Sequence, residues 1–108
     1  MKRQLYYILL SLAADDRHGS GIVRDVLELT EGELKLWPAT LYGSLDELCE
    51  QGWIRELDRP PAGADAAGHK RWFGITAAGR RAVTGELARL QTMVTVAQRR
   101  LSPNRGNP

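Results

Sequence analysis

The sequence predicts a mainly helical α+β domain: three short helices, a two-stranded hairpin and a long fourth helix. Apolar residues recur at helical spacing in four separate stretches. Two strand-like runs lie between the third and fourth of these, joined by a loop rich in proline and glycine. A chain of 108 residues with 43% hydrophobic content is the size and composition of one globular domain. At that size, dimerisation would add to stability.

Leu5, Ile8, Leu9 and Leu12 fall at i, i+3, i+4 and i+7, which places a first helix over residues 3–14. The preceding Lys2-Arg3 gives this run the look of a secretory leader. Charged Asp15-Asp16 follow it where a leader would have small residues, so it reads as a core helix. No apolar run reaches the length of a membrane span, and no membrane partner is expected. The only cysteine, Cys49, sits beside an apolar stripe and reads as small and buried or half-buried, with redox sensing as the rarer use. A chain without an intrachain disulfide suits a reducing, cytoplasmic location.

The segment 15–19 breaks the first helix, and Ser20 is positioned to cap a second over 21–29, with Ile22, Val23, Val26 and Leu27 inward. Residues 30–33 form a turn, and 34–37 bridge to a third helix over 38–49, where Pro38 suits the first turn. Leu41, Leu45 and Leu48 line its inner face. Ala39, Gly43, Asp46, Glu47 and Glu50 lie opposite, with Thr40 and Ser44 on the flank. After a turn at Gln51-Gly52 come the strand runs 54–59 and 70–75, with His69 ending the loop between them.

Thr76 is a good N-cap for the last helix, which runs to about Leu101. Its Val83, Leu87, Leu90, Val94, Ala97 and Leu101 are spaced 4, 3, 4, 3 and 4, a heptad seam of the kind that keeps facing another helix. The expected division is 1–76 for the helix–hairpin core, 77–101 for a pairing helix and 102–108 for a frayed tail.

A third helix followed by a hairpin with basic flanks is the outline of a winged helix-turn-helix, a fold that places a helix in the DNA major groove. The net charge is only +2, yet its distribution is uneven. Residues 1–53 hold five Lys/Arg against nine Asp/Glu, whereas 54–108 hold ten against four. Arg55, Arg59, Lys70, Arg71, Arg80 and Arg81 cluster around the hairpin and the start of the last helix, which suits phosphate contact. A merely solvated surface is the other reading, and the hairpin tips the balance toward DNA.

The segment Pro38-Ala39-Thr40-Leu41-Tyr42-Gly43-Ser44-Leu45, then Leu48, Gly52-Trp53-Ile54 and Ile75-Thr76-Ala77-Ala78-Gly79-Arg80-Arg81, resembles the PadR family of bacterial transcriptional regulators. His18-Gly19-Ser20-Gly21-Ile22 is similar to that family's turn into its second helix. The resemblance spans roughly residues 5–100. Gly43 stands where the family usually has proline, and Trp37-Pro38 replaces small residues. It implies a homodimeric repressor of a palindromic promoter site. The last helix would pair with its copy and with the partner's first helix, so Leu5 and Leu9 join the seam. It further implies a small hydrophobic effector near Leu90, Met93, Val94 and Ala97, although plain interface packing is the commoner use of such a stripe.

The expected DNA-reading residues are Ala39, Thr40, Gly43 and Ser44, with Lys35 at the approach and Tyr42 reaching a phosphate while packing on the core. Arg59, Lys70 and Arg71 on the wing would meet the backbone. No arginine or asparagine sits at the reading positions, so backbone contacts and DNA shape should carry much of the binding. Trp37, Trp53 and Trp72 read mainly as core, with Trp37 also suited to shielding the helix entry or walling a ligand pocket. The other reading is a winged-helix protein-interaction module that never touches DNA. An enzyme is not expected: His18 and His69 lie on separate loops, and no metal, nucleotide or cofactor motif is present.

Overall fold

Residues 1–63 and 70–103 are described by the computed structural model. Helix α1 (Arg3–Ala14) buries Leu5, Ile8, Leu9 and Leu12 along one stripe. Strand β1 (Arg17–His18) leads into α2 (Gly19–Leu29), which adds Ile22 and Val26. Helix α3 (Pro38–Glu50) contributes Leu41, Leu45 and Leu48. Strands β2 (Ile54–Glu56) and β3 (Trp72–Ile75) close the core with Ile54 and Phe73. Helix α4 (Ala77–Leu101) follows. None of the described helices is long and apolar enough to cross a membrane.

The sheet is antiparallel in the order β1-β3-β2, with Arg17 opposite Phe73 and Ile54 opposite Ile75. The wing therefore has its two expected strands plus a third, β1, which is too short to show an alternating pattern. Both wing strands are shorter than their runs. The Leu57 N–H still donates to the Trp72 carbonyl at 2.7 Å. Beyond it Pro60 and Pro61 supply no N–H, so a ladder cannot continue there. His69 and the rest of the loop from 64 to 69 lie outside the described residues, as does the tail from 104 to 108.

Helix α2 starts two residues before the expected point, because His18 and not Ser20 is its cap. The Gly21 N–H donates to His18 Nδ1 at 3.2 Å, and the imidazole ring stands edge-on to Trp72 with centroids 4.9 Å apart. An acceptor Nδ1 requires the neutral ring. Burial, then the charges of Lys70 and Arg24, hold the His18 pKa below its ordinary 6.5. A lowered histidine pKa contributes stability that is complete above the unfolded value and fades as pH falls through the folded one. His18→Ala should therefore cost about 1 kcal/mol, the usual worth of a cap. Urea titrations should show that cost at pH 7.5 to 8 and a progressive loss of it at acid pH.

At the start of α4 the Thr76 hydroxyl accepts from the Gly79 N–H at 3.0 Å and donates to the Gly52 carbonyl at 2.6 Å. One side chain thus caps the helix and ties it to the turn after α3. Only Gly79 and Val83 of α4 are buried. The helix packs its first turns on α1 and then extends away, giving a molecule of 65 × 28 × 26 Å.

This packing corrects three residues of the expected dimer seam. Leu5, Leu9 and Val83 are 3%, 0% and 8% exposed inside the protomer's own core, so they have no surface to offer a partner. Trp37, expected in the core, is instead 61% exposed. Trp53 and Trp72 are half-buried.

Candidate nucleic-acid interface

Helix α3 presents Ala39, Thr40, Tyr42 and Gly43 to solvent, with Asp46 and Glu50 further along. Ser44, expected among the DNA-reading residues, is 4% exposed and faces the core with Leu41, Leu45 and Leu48. It occupies i+3 in their stripe, so the backbone turns its hydroxyl inward. The exposed face of α3 is therefore short-chained at the start of the helix and acidic beyond. Glu47 is drawn aside by Lys2, whose Nζ lies 3.1 Å from its carboxylate.

A polar concavity lies beside this face. His18, Gly19, Ser20, Tyr42, Lys70 and Arg71 line an open cleft of about 260 Å³. It joins three elements: the start of α2, the side of α3 and the approach to β3. Gly19 is small for a reason of space, since a Cβ there would lie 2.9 Å from the Tyr42 hydroxyl. The first N–H groups of α2 carry its positive dipole end, with that of Gly21 already donating to His18. With Lys70, Arg71 and a phenolic O–H, the cleft is chemically suited to an anion such as a backbone phosphate.

Arg71 is held in position. Its Nε and Nη2 donate to Glu56 at 3.1 and 2.9 Å, and its guanidinium carbon lies 5.5 Å from the Tyr42 ring centroid and 5.4 Å from that of Phe73. The bidentate bond keeps the Glu56 carboxyl below its ordinary range and raises Arg71. Both N–H groups on Nη1 remain for another acceptor. Arg59 and Lys70 are exposed on the described parts of the wing.

Three contributors to this surface were not foreseen: His18, Gly19 and Ser20. The His-Gly pair was read only as a turn, and no local pattern shows that a distant tyrosine lies over it. Cys49, expected buried or half-buried, is exposed. Its thiol is raised by partial burial, then by Asp46 and Glu56, so it stays protonated at neutral pH and lacks the lowered pKa of a reactive cysteine.

The second surface of interest is the far part of α4. Leu87, Val94 and Leu101 are 47%, 55% and 81% exposed, Ala97 is exposed, and Met93 adds another apolar side chain at 47%. Leu90 is half-buried and lines a cleft of about 250 Å³ with Met1, Arg3, Tyr6, Tyr7, Glu86 and Arg89.

A model described as the transcriptional regulator PadR-like family matches residues 8–85 of this chain. No curated protein matches it. Among solved structures, a PadR family transcription regulator from Clostridium difficile R20291 superposes with a TM-score of 0.78 at 18% identity, over 94% of this chain and 100% of that one. A transcriptional regulator from Clostridium thermocellum gives 0.74 at 17% identity, over 92% and 90%. Bacillus subtilis PadR, solved in complex with operator DNA, gives 0.65 at 20% identity, over 80% of this chain and 47% of that one. At these identities the likeness is one of fold.

Proposed function

The chain belongs to the PadR-like family of transcriptional regulators, and we propose that it binds promoter DNA as a homodimeric repressor, covering a palindromic site against polymerase. The carrying observation is the cleft where the start of α2, Tyr42, Lys70 and Arg71 converge beside the exposed start of α3. A phosphate in that cleft would fix the register of α3 in the major groove. Ala39 and Thr40 would then approach base edges, their methyl groups suited to thymine. Arg59 would reach backbone further along the wing. In this reading residues 1–76 form the DNA-binding unit and 77–101 the dimerisation helix.

The exposed apolar residues on the far part of α4 support the dimer reading. Two copies pairing through Leu87, Leu90, Val94, Ala97 and Leu101 would cover the exposed seam and set two α3 helices on successive half-sites. The cleft beside Leu90 would lie at that interface. Tyr6 and Tyr7, ring centroids 5.6 Å apart, supply aromatic faces there that α4 itself lacks. A small hydrophobic effector would enter at this point.

Val94→Glu tests the assembly without touching the protomer core, because Val94 is 55% exposed. Sedimentation should show a wild-type dimer and a folded, monomeric variant. DNA affinity should fall on the order of a hundredfold, through loss of the linked second half-site. A variant that stays dimeric and binds DNA normally would contradict this arrangement. The acidic outer side of α3, with Asp46 and Glu50 exposed, favours a protein-interaction module as the second reading. That module would show no salt-dependent DNA affinity.

A further inference from the structure

We propose that Lys35 and Trp37 form a stacked cation–indole pair that seats on the sugar–phosphate backbone of one DNA strand beside the start of α3. This rests on the DNA-binding reading above and adds a contact to it. The two side chains share one side of the α2–α3 connection because Leu36 between them is buried at 2%. In an extended segment, residues on either side of an inward one point outward together. The Lys35 Nζ accordingly lies 4.4 Å from the Trp37 ring centroid. Among the described residues Lys35 forms no ion pair.

Trp37 is the N-cap residue of α3, yet its side chain makes no capping hydrogen bond and is 61% exposed. Its backbone carbonyl does the structural work, accepting from the Leu41 N–H at 2.8 Å. The fold therefore leaves the indole free for another use. It adjoins Ala39 and Thr40, whose short side chains let α3 approach DNA closely and bring a large neighbour within reach of the strand. An indole offers an apolar face for deoxyribose and an N–H for a phosphate oxygen, while the ammonium neutralises a phosphate.

The test compares wild type with Trp37→Ala, Trp37→Phe and Lys35→Ala by fluorescence anisotropy. Each protein is titrated onto the duplex upstream of its own gene and onto a shuffled duplex, over a salt series, with circular dichroism as a folding control. Trp37→Ala should weaken binding about tenfold on both duplexes, the loss of roughly one good contact. Trp37→Phe should recover part of it. Lys35→Ala should reduce the salt slope by about one unit. In wild type, DNA should also shield the acrylamide-accessible tryptophan emission, and Trp37→Phe should lack that accessible component. If wild type binds with a steep salt dependence while Trp37→Ala matches it and quenching is unchanged, the inference fails and the DNA reading stands. If wild type shows no salt-dependent binding, the DNA reading fails and this contact fails with it.

Discussion

Replacing Lys70 and Arg71 together with alanine should weaken DNA binding by about a hundredfold, since each charge-assisted contact to a phosphate is worth roughly tenfold or more. The salt slope should fall by about two units, because each neutralised phosphate contributes about 0.9. The loss should be similar on specific and shuffled duplexes, because in the proposed reading these groups would meet backbone and not base edges. Arg71 is the more specific half of this prediction. Glu56 and the rings of Tyr42 and Phe73 fix its guanidinium, so Arg71→Lys should restore charge without orientation. The single lysine variant should keep the wild-type salt slope and recover only part of the affinity. Anisotropy over a salt series separates the two quantities. An unchanged slope in the double alanine variant would remove the cleft from the interface.

Gly79→Ala should be the most damaging glycine-to-alanine change among the described residues, costing about 3 kcal/mol, the upper end of what overpacking costs. A Cβ at this position would overlap the Trp53 carbonyl and press on the Ile75 side chain. Trp53 cannot yield freely, because the same carbonyl accepts from the Thr76 N–H at 3.0 Å. Relief would require α4 to lift from the turn after α3, breaking the Thr76 bridge to Gly52 as well. A cost of this size in a domain of about 100 residues should lower Tm by roughly 12 °C or more. Calorimetry of Gly79→Ala against Gly85→Ala gives the control, since a Cβ at Gly85 meets nothing within 4 Å. Gly85→Ala should be neutral or slightly stabilising, as alanine is the better helix former. Equal melting temperatures for the two variants would refute the close-approach account.

The helices were legible because their stripes repeat over several turns and carry recognisable start signals, Pro38 for α3 and Thr76 for α4. The same periodicity misled where it could not say which surface a residue meets. Leu5 and Leu9 belong to a stripe that serves equally for a core or a partner, and the core holds them. Ser44 completes the spacing of Leu41, Leu45 and Leu48, but its hydroxyl suggested a DNA contact, and geometry prevails over chemistry at that position. Trp37 shows the converse, where aromatic bulk suggested burial and only the inward Leu36 explains its exposure. Strand β1 and the His18 cap were not readable. Two residues carry no period, and a serine two positions on looked the better cap. The cleft beside α3 depends on Gly19 meeting Tyr42 across two helices, which no local pattern encodes.

The most direct test of the central claim is anisotropy of the full chain on the duplex upstream of its own gene, at two salt concentrations, beside a shuffled duplex. The account predicts submicromolar binding that prefers the native sequence, saturates at two protomers per site and weakens steeply with salt. Weak binding that ignores both sequence and salt would contradict it, and would move the exposed face of α3 toward a protein partner.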